Sequence, residues 1–140
     1  MTAVEQVFEL YSAQEPEGRR LEPVEGEICM TSPNDGQHAE IVAELRDQVT
    51  GPDRLISCYT GIGLRVPGGA DSPPGSARSA EGRLVPDLAI APRGSFANEQ
   101  VWRLPAPVLL VAEVTSAFTA HRDRVQKVRA YACAGIPSIC

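Results

Sequence analysis

Two carboxylates stand inside apolar runs: Asp87 in Leu84-Val85-Pro86-Asp87-Leu88-Ala89-Ile90, and Glu113 in Leu109-Leu110-Val111-Ala112-Glu113-Val114. Taking an isolated carboxylate out of water is costly, so each needs a cation, a metal ion or several hydrogen-bond donors beside it. Carboxylates on neighbouring strands can share one divalent ion. Mg²⁺ suits that arrangement, because it takes one or two carboxylate oxygens and keeps its other positions for water and phosphate oxygens. Pairing of each acid with an arginine near a strand end is the alternative that needs no metal. A third candidate is Lys127: of thirteen basic residues twelve are arginine, and this is the single lysine. A compact ammonium differs from a guanidinium in hydration and in how readily it gives up its proton, which is a chemical reason to keep it. It also has a simpler use, since Asp123 lies four residues earlier in the favourable order for a helix ion pair worth about 0.3 kcal/mol. His38 precedes Ile41, Val42 and Leu45 at helical spacing, which puts it on or beside a buried face, as a core histidine or as a proton-transfer group.

The elements that must position these residues follow from apolar periodicity. Val4, Val7, Phe8 and Tyr11 predict a helix over 3–13 that Pro16 and Gly18 end. Leu21 to Met30 predicts a hairpin turning at Glu25-Gly26, anchored by Val24 and Ile28. Asn34 or Asp35 caps a second helix over about 37–49, with a stripe of Ile41, Val42, Leu45 and Val49. Strands follow over Leu55 to Val66, interrupted by Gly61 and Gly63, then over Arg83 to Ala91 and Val108 to Thr115; the last two are apolar enough to be covered on both faces. Between them, ten of the sixteen residues from Pro67 to Gly82 are Pro, Gly or Ser, which predicts a flexible loop. Thr119 caps a last helix reaching Gly135, with Val125, Val128 and Ala132 as its core stripe, and another strand begins at Ile136. Helices packed on a central sheet give an α/β architecture in a single domain over 1–140.

Composition excludes several classes. The chain has 140 residues and a formal net charge of -5, which disfavours a general nucleic-acid coat or a polybasic membrane surface. Cys29, Cys58, Cys133 and Cys140 form no C-x-x-C pair and no zinc-ligand spacing, so four reduced thiols are expected. The start Met1-Thr2-Ala3-Val4-Glu5 lacks the basic and apolar regions of a signal peptide, and Ala106 to Ala112 is far shorter than a membrane span. The expectation is a cytoplasmic protein without a membrane partner.

Taken in order, Val24-Glu25-Gly26-Glu27-Ile28, Ser32-Pro33, His38, Val85-Pro86-Asp87, Glu113-Val114-Thr115-Ser116, then Asp123, Lys127, Tyr131 and Gly135-Ile136-Pro137 form a recognisable set. The set resembles the Uma2 family of restriction endonuclease-like proteins, within the PD-(D/E)XK nuclease superfamily. The resemblance spans about residues 5 to 137. It implies a restriction endonuclease-like core: a helix, a three-stranded antiparallel meander, a crossover helix and a fourth strand in a mixed sheet.

The same resemblance implies metal-dependent hydrolysis of phosphodiester bonds in nucleic acid, DNA above all. Asp87 and Glu113 would hold Mg²⁺ or Mn²⁺ with the Val114 carbonyl as third protein ligand. The superfamily lysine two residues after the second acid is replaced by Thr115, and Lys127 on the next helix would stand in for it, orienting the attacking water. His38 would contact phosphate or assist proton transfer, Tyr131 would orient Lys127 or pack on the sheet, and Glu27 would reach the metal region or stay an exposed strand acid. The basic run from His121 to Arg129 would contact a nucleic-acid backbone or form a solvated face. The resemblance further implies that strands should continue beyond Ile136-Pro137, so a chain that ends at Cys140 reads as truncated with an open sheet edge. A catalytically silent module that interacts or forms a homodimer through that edge is therefore the alternative to an active endonuclease.

Overall fold

The computed structural model describes residues 3–13, 20–31, 34–51, 54–68, 81–116 and 122–140. Helix α1 spans Ala3–Ser12 and buries Phe8, while Val7, Leu10 and Tyr11 stay exposed. Strands β1 (Arg20–Val24) and β2 (Glu27–Thr31) pair as an antiparallel hairpin with Val24 opposite Glu27. The two-residue turn needs positive φ at both positions, as in a type I′ turn, and Glu25 (49°) and Gly26 (79°) supply it. Helix α2 follows over Gly36–Thr50, and of the two candidate caps Asp35 takes the role, accepting from the His38 N–H at 2.8 Å.

The predicted strand over 55–66 is two strands in different sheets: β3 (Ile56–Tyr59) and β4 (Gly63–Val66), separated where Gly61 adopts a φ of 71°. Strand 83–91 likewise divides into β5 (Gly82–Leu84) and β6 (Leu88–Pro92). Pro86 has no N–H to give a ladder, and the Val85 N–H is taken by a side chain, so pairing stops there. Trp102–Arg103 forms a short β7 with no counterpart in the sequence reading, and β8 is trimmed to Leu110–Ala112. A wide π-type turn over Arg122–Lys127 leads into α3 (Val128–Cys133), and β9 (Ser138–Ile139) closes the chain of elements. The predicted cap Thr119, most of the predicted 67–82 loop and Ser32-Pro33 lie outside the described residues.

A mixed four-stranded sheet in the order β3-β6-β8-β9 forms the centre, with β3, β6 and β8 antiparallel and β9 parallel to β8. This is the expected α/β core: α2, a three-stranded meander, a crossover helix and a fourth strand. The apolar run of β6 serves both faces by strand alternation. Leu88 and Ile90 join Cys58 and Ala112 under the Val42-Leu45-Val49 stripe of α2. Ala89 and Ala91 join Val111, Tyr131 and Ile136 on the opposite face, together with Leu64 and Val66 of β4, Leu84 of β5 and Val24 of the hairpin. A three-stranded sheet, β5-β4-β7, packs beside this second cluster. In it, Gly63 lets the Trp102 ring approach: a Cβ there would lie 2.6 Å from the indole.

Two predicted stripes are corrected. Ile41 of α2 is exposed, leaving the narrower 42/45/49 seam. In the last helix Val125 is 41% exposed and Ala132 is exposed, whereas Lys127 and Tyr131 are buried. The side turned to the sheet is chosen by what Lys127 and Tyr131 bond there, and Ala130 and Ala134 complete the packing.

Candidate functional site

The central sheet brings the two acids together. Because Leu88 is opposite Ala112 in the β6–β8 ladder, Asp87 and Glu113 lie one residue beyond the paired segment, at the same end of adjacent strands. Neither is inside a strand as the apolar runs suggested; Asp87 occupies the bend before β6 and Glu113 follows β8. That position leaves their carboxylates clear of ladder hydrogen bonds and close enough to each other that the Asp87 charge disfavours ionisation of Glu113.

Asp87 meets both α2 and the residue after Glu113. Its Oδ2 accepts from the Val114 N–H at 2.8 Å and lies 3.1 Å from His38 Nε2. His38 reaches it from the first turn of α2, the turn that Asp35 caps, so the cap, the imidazole and the carboxylate form one connected chain. Val114 contributes its amide to Asp87. A cleft of about 570 Å³ opens at this end, and both His38 and Asp87 line it.

Glu113 is buried and is bonded from the helix that follows. Its Oε1 accepts from Lys127 Nζ at 2.9 Å and from the Tyr131 hydroxyl at 2.7 Å. Lys127 and Tyr131 are four residues apart and so share a helix face, which lets a single carboxylate oxygen collect both donors. Lys127 Nζ also lies 3.0 Å from Glu22 Oε1, and that same oxygen accepts from the Val85 N–H at 2.6 Å. Glu22 and Lys127 are 1% and 2% exposed, so the ammonium is buried between two carboxylates. Neither strand acid pairs with an arginine among the described contacts; histidine and lysine take that place.

The hairpin is docked by a row of polar contacts along the same helix. Gln126 Nε2 donates to Glu27 Oε2 at 3.3 Å, Lys127 meets Glu22, and Arg129 grips Glu25 with both Nε and Nη2, the latter at 2.7 Å. The exposed contacts add little individually, whereas the Glu22–Lys127–Glu113 set sits where loss of one partner is severe. Glu27 is an exposed strand acid bonded to Gln126 and is not drawn to Asp87. The side chain of Asp123 and the residues that open the basic run at His121 lie outside the description.

Sequence reasoning missed Glu22. The signal was present in Leu21-Glu22-Pro23-Val24, an acid enclosed by apolar residues, all four of which are buried. A residue-by-residue search for acids in apolar runs, the test that found Asp87 and Glu113, would have found it. Tyr131 packs its ring in the core, as one of its two readings has it, and its hydroxyl donates to Glu113.

Burial raises the Glu113 carboxyl from 4.5 to about 7; Lys127 and the Tyr131 hydroxyl pull it down, Asp87 and Glu22 push it up, and burial prevails.

The family model Uma2, described as "Putative restriction endonuclease", matches residues 4–139. Among solved structures the chain is similar to the crystal structure of a "putative nuclease belonging to DUF820" from Anabaena variabilis ATCC 29413. The TM-score is 0.57 at 15% identity, over 99% of this chain and 70% of that one. At that identity the likeness shows a common fold. No curated protein matches the sequence.

Two outcomes follow from the buried cluster. Lys127→Met leaves two buried acids without their cation and lowers stability by about 3–5 kcal/mol; urea unfolding should show this, with most of the loss recovered when Glu22 and Glu113 are also changed to Gln, and a loss below about 1 kcal/mol contradicts it. The second concerns pH in the metal-free protein. A carboxyl whose folded pKa is raised holds its proton better folded than unfolded, so its stabilising contribution is complete below pH 4.5 and is lost as pH rises to about 7. Glu113→Gln removes that dependence: the variant's unfolding midpoint relative to wild type should rise between pH 5 and pH 8, and a constant difference contradicts the assignment.

Proposed function

The chain belongs to the Uma2 family, and on that premise we propose that it is a divalent-metal-dependent nuclease acting on phosphodiester bonds, with DNA as the expected substrate. The observation that carries the reading is the arrival of Asp87 and Glu113 at adjacent strand ends with Lys127 bonded to Glu113. Among the described residues no group of three or more His, Cys, Asp or Glu is arranged as a metal cluster. Mg²⁺ does not need one, since two carboxylates plus a carbonyl and water satisfy it, and the donors here are hard oxygens. Asp87, Glu113 and the Val114 carbonyl would hold Mg²⁺ or Mn²⁺. The ion supplies a polarised phosphate and a bound water of lowered pKa.

The protein's own side chains do the rest. The Val114 amide and His38 fix the Asp87 carboxylate. Lys127 and Tyr131 fix Glu113 and bias it toward ionisation against the effect of burial. Lys127 places positive charge at the acid end of the sheet, where it orients the attacking water and offsets negative charge gathering on the phosphate. His38, lining the cleft beside Asp87, contacts phosphate or relays a proton. Glu22 positions Lys127 and touches none of the reacting groups.

The burial of Lys127 favours a second reading, in which the cluster only holds the hairpin to the sheet and the domain is a silent interaction module, self-associating through the β9 edge. No described helix is long and apolar enough to cross a membrane, so neither reading calls on one. Cleavage of a labelled oligonucleotide with Mg²⁺ or Mn²⁺ separates them. Asp87→Asn keeps the size of the side chain and an acceptor for the Val114 amide, and should lower cleavage at least about 100-fold with the thermal midpoint nearly unchanged. Equal cleavage by variant and wild type overturns the nuclease reading, as does a wild-type protein inert with both ions.

A further inference from the structure

The cleft at Asp87 extends well beyond the acid. One wall is a face of α2, with His38, Val42 and Arg46 at four-residue spacing and Ala39 and Ala43 beside them. From His38 to Arg46 is eight residues, about 12 Å along the helix axis. The other wall is the Thr60-Gly61 turn between β3 and β4, where nothing lies within 4 Å of the position a Gly61 Cβ would take. The two alanines leave the helix wall low and apolar.

Arg46 has no ion-pair partner among the described residues, although Asp47 is next to it and also lines the cleft. The charges are thus mixed, one guanidinium against Asp47 and Asp87, in a chain whose net charge is -5. A duplex read along its length needs a continuous basic footprint, which this is not. The volume of about 570 Å³ falls instead in the range of sites for single small ligands. A flat apolar wall accepts the face of a ring, a nearby amide (Asn34) offers a hydrogen bond to its edge, and one cation meets one phosphate.

Resting on the nuclease reading above, we infer that this cleft is a subsite for a single unpaired nucleotide of the substrate strand, its base against Ala39-Val42-Ala43 and its flanking phosphate on Arg46. The subsite registers the strand so that the neighbouring phosphodiester lies at Asp87. It makes the enzyme selective for single-stranded or locally opened nucleic acid, because a stacked, paired base cannot enter.

The test is a titration of the full chain in EDTA with thymidine 5′-monophosphate, followed by backbone amide chemical shifts. Shifts should concentrate in α2 and at Thr60-Gly61. Arg46→Gln should weaken binding about tenfold and remove its salt dependence. Ala43→Leu, an exposed helix position that takes leucine readily, should abolish binding by filling the cleft while leaving the thermal midpoint in place. Absence of shifts in wild type, an unchanged affinity in Arg46→Gln, or binding that survives Ala43→Leu overturns the subsite. The titration needs neither metal nor cleavage. Failure of the nuclease assay therefore leaves its result readable, and its own failure leaves the chemistry of Asp87 and Glu113 untouched.

Discussion

The Lys127 ammonium, buried between Glu22 of the hairpin and Glu113 at the end of the central sheet, is the contact on which the other elements depend. It ties three separate parts of the chain to a common point: β1, the end of β8 and the turn into α3. The helix carrying it widens into a π-type turn over Arg122–Lys127, a local irregularity common where a side chain must be re-aimed. One turn later Tyr131 completes the same carboxylate oxygen's partners from inside the apolar core. A buried charge network of this kind is poor as a source of stability, because desolvation cancels much of the attraction. Its effect here is on Glu113: Lys127 and Tyr131 fix its direction and oppose the burial that raises its pKa.

Residues from two helices serve the acids at one sheet end. Glu113 is governed from the core side by Lys127 and Tyr131, and Asp87 from the cleft side by His38 and the Val114 amide. Of the two acids, Asp87 is the one that lines the cleft.

Much of this arrangement was legible in the sequence, and for identifiable reasons. Asp87 and Glu113 stood out because carboxylates in apolar runs demand partners, and the ladder register sets them side by side. The Asp35 cap and the Glu25-Gly26 turn are local chemistry, decided by a few neighbouring residues. What failed was non-local. Apolar spacing runs the last helix's stripe through Val125, and nothing near Lys127 in sequence discloses the two acids that bury it. Glu22 was missed for the complementary reason, its partner lying 105 positions away. The break between β5 and β6 depends on the Val85 amide being claimed by that same Glu22, which propensity alone does not reveal.

The most direct test of the account is anomalous diffraction from crystals soaked in Mn²⁺, which asks where the ion binds rather than what the protein cleaves. The account predicts one strong peak within coordination distance of a carboxylate oxygen of both Asp87 and Glu113, with Lys127 still beside Glu113 and Glu22. No peak at the sheet end, or an ion bound to residues other than Asp87 and Glu113, would contradict it.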